Sequence, residues 1–107
     1  MKDDSVYIAH ILESIERIEQ YLSGISKEKF MESGIIQDAV IRQLAIIGEA
    51  SKHISKELKN EIELPWKDIA GMRDRLIHAY FGVNLDEVWK TIKEDLPFLK
   101  DKIKDFC

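Results

Sequence analysis

Cysteine is almost absent from this sequence, which excludes several classes of protein. Its single cysteine, Cys107, is the last residue, so no disulfide can form within the chain. This usage fits a reducing compartment, and we expect a cytoplasmic protein. The start of the chain lacks the basic and apolar blocks of a secretory signal, and no apolar run approaches the roughly 20 residues of a membrane span. No membrane association is therefore expected.

The sequence also lacks the features of common nucleotide, metal and nucleic-acid sites. There is no glycine-rich phosphate loop and no nucleophile elbow. His10 and His53 have no spacing to cysteines or aspartates that suits a metal, so we predict neither a metal nor a cofactor. The net charge of -4 argues against non-specific coating of nucleic acid. Any contact with RNA would need a local basic pocket.

Helical periodicity accounts for most of what is present. Apolar residues make up 45% of the chain and charged residues 34%, with only five glycines and two prolines. We predict one domain over residues 1–107, an all-α, antiparallel up-and-down bundle of four to five helices. The first helix covers about residues 4–23 and ends before Gly24. Its apolar positions alternate spacings of three and four: Ile8, Ile11, Ile15, Ile18, Leu22 and Ile25.

The second predicted helix covers about residues 34–59, and its apolar residues fill roughly half of the circumference. Such an arc is wider than one core-facing stripe requires. It fits a central helix that packs on two neighbours, and it fits equally well a face shared between subunits. Between the first two helices, residues 26–31 form either one short turn or an ordered loop.

Two further helices complete the predicted bundle. The third starts at Pro65, which suits a first helical position, and stops at Gly82. The fourth follows a capping box formed by Asn84 and Glu87. Pro97 interrupts its apolar repeat, so we expect a kink or a break near Asp95.

Residues 73–80 contain the groups that phosphodiester chemistry needs. The guanidinium of Arg73 can clamp a phosphate, and the imidazole of His78 can move a proton near neutral pH. Tyr80 adds a hydroxyl that can bond, donate or be modified. Asp74 shares a helix face with His78 and could orient it, although a solvated Asp74–Arg75 neighbourhood is equally consistent. The common structural roles of such residues are a surface ion pair for arginine and a helix-dipole contact for histidine.

Arg73 and His78 lie five residues apart, which rotates them by roughly 140° on a continuous helix. They cannot converge on one ligand within one chain unless the helix unwinds near His78. Alternatively, the same helix of a second subunit completes the site. We favour a homodimer, because a twofold axis would bring two arginines and two histidines together.

The stretch from Pro65 to Val83 resembles the signature of HepT-like proteins of the HEPN superfamily. The family pattern is arginine, four residues, histidine, any residue and tyrosine, and Arg73, His78 and Tyr80 fill it. Residues 39–50 resemble the second helix of the family, and residues 85–89 resemble the start of its last helix. The similarity extends over nearly the whole chain.

This resemblance implies a metal-independent endoribonuclease, the toxin of a toxin–antitoxin pair whose antitoxin is a minimal nucleotidyltransferase (MNT). Arg73 and His78 would be catalytic, Asp74 and Arg75 would support them, and Tyr80 would be the residue to which the antitoxin transfers AMP. Two alternatives stay open: a non-catalytic nucleotide- or RNA-binding HEPN module, and a structural interaction protein whose motif serves only the dimer contact.

Overall fold

The computed structural model describes residues 3–78 and 84–106, with every side chain in those ranges except positions 73 and 76–78. Helices form nearly all of these residues, and no β-strand occurs among them, which confirms the predicted all-α bundle. The α-helical segments are α1 (Asp4–Tyr21), α2 (Lys27–Glu32), α3 (Gly34–Ser51), α4 (Lys56–Glu61), α5 (Trp66–His78), α6 (Leu85–Lys90) and α7 (Leu96–Ile103). None of the described helices is long and apolar enough to cross a membrane.

The helix α1 forms one side of the core. Asp3 caps its first turn by accepting a hydrogen bond from the backbone N–H of Ser5. Its end is marked by Gly24, whose φ of 72° lies in the left-handed region that favours glycine. The predicted stripe is confirmed, since five of its six members are buried. Those residues are Ile8, Ile11, Ile15, Ile18 and Leu22.

The helix α3 is central, because it packs against both α1 and α5. Its buried residues include Val40, Leu44 and Ile47. Packing on two neighbours accounts for the wide apolar arc seen in the sequence, so the arc alone no longer requires a second subunit. Ile35, at the start of α3, stays 85% exposed.

The predicted second helix is too long, since α3 ends at Ser51 and a separate helix, α4, starts at Lys56. At this corner the Ser55 hydroxyl accepts from the Leu58 N–H and caps α4. The same residue donates from its backbone N–H and its hydroxyl to the Asp4 carboxylate. The apolar periodicity continues through the corner because Ile54 is buried there without being helical. The corner after α3 is therefore marked by the contact between Ser55 and Asp4 and not by a local stop signal in the sequence.

Side-chain hydrogen bonds attach the short helices to the long ones. The Gln37 amide donates to the carbonyls of Phe30 and Met31, which ties α2 to α3. The Trp66 indole donates to the carbonyls of Lys59 and Ile62, which ties the start of α5 to α4. The helix α5 begins one residue later than predicted.

The last helical run contains the predicted interruption before Pro97. The cap by Asn84 is confirmed, since its side chain accepts from the Glu87 N–H. Between α6 and α7, residues Thr91–Asp95 form a π-helical turn, in which the Leu96 N–H bonds the Thr91 carbonyl. On a continuous α-helix, positions 88 and 96 would be rotated by about 80°, and one extra residue in a wider turn reduces that rotation. Val88, Ile92 and Leu96 are consequently all buried.

Candidate functional site

The helix α5 carries the predicted catalytic pair and is continuous from Trp66 to His78. The backbone positions of Arg73 and His78 are therefore separated by about 140° around the axis and about 7.5 Å along it. No unwinding precedes the end of the helix at His78. Their side chains lie outside the described residues, as does the whole of Tyr80. The proposed roles of these three residues stay predictions.

The two predicted supporting residues, Asp74 and Arg75, are both exposed. Arg75 lines a groove of about 650 Å³ between α5 and the C-terminal helical run. His78 follows Arg75 by three positions, so its backbone is rotated from that of Arg75 by about 60°. Arg73 precedes Arg75 by two positions and lies about 160° away. The backbone of α5 thus separates the arginine of the motif from its histidine.

The groove beside Arg75 combines an apolar lining with acidic side chains. Its carboxylates come from Asp68 on α5 and from Glu94 and Asp95 on the π-helical turn. Its apolar lining comes from both walls and includes Leu64, Pro65, Ile69, Met72, Leu96, Phe98 and Leu99. The carboxylates would repel a phosphate backbone, so the groove itself is poorly suited to RNA, and a phosphate contact by Arg75 would have to lie outside it.

The helix that follows the motif is attached to α2. Lys27 forms an ion pair with Asp86 at 2.9 Å, and the ring of Phe30 packs at 5.3 Å from that of Trp89. The ammonium of Lys93 lies 4.7 Å from the Trp89 ring centroid, a cation–π arrangement. Both tryptophans belong to the core region: Trp66 is buried and Trp89 is half-buried against it.

Sequence reasoning missed an aromatic contact at the corner between α3 and α4. The rings of Tyr7 and His53 stack with centroids 4.9 Å apart and planes inclined by 16°. His10 lies 6.5 Å from Tyr7 on the same helix. The spacing of Tyr7 and His10 is visible in the sequence, whereas the contact of Tyr7 with His53 joins distant positions, as the bond between Asp4 and Ser55 does.

The helical bundle, with arginine and histidine five positions apart on α5, agrees with the resemblance to the HEPN superfamily. The comparisons specify the family. The family model described as "Ribonuclease HepT-like" matches residues 11–106. This chain belongs to the HepT-like family.

Two named relatives are similar to this chain over most of their own length. A "Probable ribonuclease HepT" of Thermococcus cleftensis is 50% identical over 92% of this chain and 90% of its own length. A "Putative RNase" of Caldanaerobacter subterraneus is 43% identical over 98% of this chain and 95% of its own length.

A protein of Methanocaldococcus jannaschii named "Gamma-glutamylcyclotransferase and putative RNase" is 48% identical over 95% of this chain. The chain spans only 46% of the length of that relative. No solved structure matches the chain significantly.

Proposed function

We propose that this chain is a metal-independent endoribonuclease, the toxin of a HEPN/MNT toxin–antitoxin pair that acts in the cytoplasm. The observation that carries the proposal is the match of residues 11–106 to the HepT-like family. The backbone of Arg73 and His78 lies on one continuous helix, and Asp74 and Arg75 beside Arg73 are exposed. The names of the relatives in Thermococcus and Caldanaerobacter point to the same activity.

The proposed reaction is an attack within the RNA chain. A base removes the proton of a ribose 2′-hydroxyl, the 2′-oxygen bonds the adjacent phosphorus, and the bond from phosphorus to the 5′-oxygen breaks. An acid protonates the departing 5′-oxygen, so the products are a 2′,3′-cyclic phosphate and a 5′-hydroxyl. His78 acts as acid or base, and Arg73 stabilises the anionic phosphorane. Asp74 orients His78, and Arg75 supports phosphate binding.

The proposed active unit is a homodimer. Its support is the continuity of α5, which keeps the backbone positions of Arg73 and His78 about 140° apart. In a twofold dimer, Arg73 of one subunit and His78 of the other can face one phosphate, and two histidines can share the roles of base and acid. The single helical domain of one subunit would then hold only half of each site.

The proposed control is covalent. The phenol oxygen of Tyr80 attacks the α-phosphorus of ATP in the active site of the MNT antitoxin, and pyrophosphate leaves. The AMP adduct places a negative phosphodiester two residues from His78, where it would repel the phosphates of RNA. Intact mass after co-expression with the antitoxin tests this step, because a mass increase of whole AMP units must be absent from Tyr80→Phe.

Cleavage of total RNA by the purified chain tests the central proposal. We expect products with 2′,3′-cyclic phosphate ends, formed at an unchanged rate in excess chelator. A mixture of inactive Arg73→Ala and His78→Ala chains should regain activity, because a mixed dimer contains one intact pair. RNA binding without cleavage would instead indicate the non-catalytic module, and cleavage by a strict monomer would contradict the shared site.

A further inference from the structure

The groove between α5 and the C-terminal helical run has an apolar and acidic lining. We propose that it is a docking site for a cationic amphipathic helix of a partner protein. This proposal concerns binding alone and does not rest on nuclease activity.

The shape and the lining of the groove suit a helix. Its walls are helical on both sides, α5 on one and the π-helical turn with α7 on the other. Apolar side chains form much of the lining, and Phe98 keeps 54% of its surface exposed at the edge. An amphipathic helix covers such a surface with residues spaced three and four apart.

The charges of the groove favour a positively charged partner. Asp68, Glu94 and Asp95 supply three carboxylates against the single guanidinium of Arg75. Within the described part of the chain, no lysine or arginine forms an ion pair with these three carboxylates. Elsewhere, carboxylates such as Glu13 and Glu19 have cations at 2.8 Å and 3.0 Å. The described lining therefore has an excess of negative charge, which a cationic partner would complement.

Phe98 provides a second indication that a cation can bind at this edge. The ammonium of Lys102 already lies 5.4 Å from its ring centroid. Since a phenyl face attracts cations, a lysine or arginine of the partner can occupy the ring while its alkyl stem packs on it. Apolar contact and positive charge are thus required together, which is the character of a basic amphipathic helix.

The test measures binding of synthetic peptides to the full chain by fluorescence anisotropy. The probe is an 18-residue peptide of leucine and lysine with its leucines on one helical face. A scrambled peptide of the same composition and a leucine–glutamate peptide are the peptide controls. We expect binding only by the amphipathic lysine peptide, weakened by added salt.

Charge-matched variants locate the site. Glu94→Lys with Asp95→Lys should weaken binding by at least roughly 10-fold, as loss of complementary charge at an interface does. Glu13→Lys with Glu16→Lys changes the net charge equally on α1 and should have little effect. Phe98→Ala gives a second measurement that does not depend on charge, and it should also weaken binding. Melting curves of all variants verify the fold.

Three results would overturn the proposal. Equal weakening in both charge-reversed variants would indicate non-specific attraction to an acidic protein. Equal binding of the scrambled peptide would remove the requirement for an amphipathic helix. Dissociation of a dimer by Phe98→Asp in sedimentation would show that a second copy of this chain covers the groove.

Discussion

The neighbouring helices α3 and α5 use their residues for different purposes. Buried aliphatic side chains run along α3, which packs against both α1 and α5. On α5, burial among the described side chains is limited to Trp66 and Met72, while Asp74 and Arg75 are exposed. The difference separates two tasks: α3 holds the bundle together, and α5 is supported by it while presenting charged groups. A substitution should therefore affect stability on one helix and activity on the other.

The largest expected effect is on stability, at the contact that joins α2 to the core. Phe30 is fully buried, so Phe30→Ala should lower the free energy of unfolding by about 3–5 kcal/mol. Phe98→Ala is the matched control, because that ring is 54% exposed and its loss should cost less than about 1 kcal/mol. Urea denaturation of both variants measures the contrast. Equal losses would mean that Phe98 belongs to the core.

The second prediction concerns Arg73 on α5, whose replacement should lower the rate of RNA cleavage. Arg73→Ala should slow RNA cleavage by at least about 100-fold, the loss typical of one group that stabilises transition-state charge. Arg73→Lys retains the charge without the planar fork, so its rate should fall between those of wild type and Arg73→Ala. Single-turnover rates measure the effect. A matching fall in melting temperature would place Arg73 with the structural residues instead.

A smaller effect is expected at the corner between α3 and α4. Ser55→Ala removes the cap of α4 and the hydroxyl bond to Asp4, which should cost about 1–2 kcal/mol, while the backbone N–H of residue 55 can still donate to Asp4. Asp4→Ala removes both long-range bonds without removing the cap. A double-mutant cycle of the two should show coupling of about 0.5 kcal/mol or more. Additive losses would mean that the bond between them contributes nothing.

The smallest predicted effect depends on pH and lies at the exposed start of α1. Hydrogen bonds from the hydroxyl and the backbone N–H of Ser5 hold the pKa of Asp3 below its usual 3.8. The carboxylate therefore stabilises the fold above pH 3.8 and loses this contribution as the pH falls through the lowered pKa. Asp3→Asn keeps a capping oxygen but cannot titrate. The stability difference between the two proteins should narrow only at acidic pH, as followed by thermal melting.

Local patterns predicted the long elements of this fold and failed where distant residues meet. The spacing of Ile8, Ile11 and Ile15 defined α1, and Asn84 marked the start of α6, because both signals lie within one or two turns. At the corner, Ser55 bonds Asp4, which lies fifty-one positions away in the sequence. The residues next to the corner do not indicate this contact. The apolar repeat passes through that corner unchanged, which is why α3 was predicted too long.

The same distinction between local patterns and distant contacts applies to the candidate site. Arg73 and His78 were identified from their spacing and flanking residues, which a sequence displays directly. The groove beside Arg75 was not foreseen, because its walls come from α5 and from residues 91–99, which only the folded chain brings together. The resemblance to HepT-like proteins indicated the candidate catalytic residues, whereas the groove became visible only in the packing of the helices.

The π-helical turn at Thr91–Asp95 also gives the C-terminal run one residue more than a regular helix would need. Lys93, Glu94 and Asp95 are exposed, so replacing them should disturb the core little. Removing one of them would convert the wider turn into a regular α-helical turn. Val88 and Leu96 would then be seven positions apart and rotated by only about 20°, so the later apolar residues would still face the core. Adding one residue would instead turn every later residue by about 100° and rotate Leu99 and Ile103 out of the core. Related sequences should therefore tolerate a one-residue deletion in this segment better than an insertion.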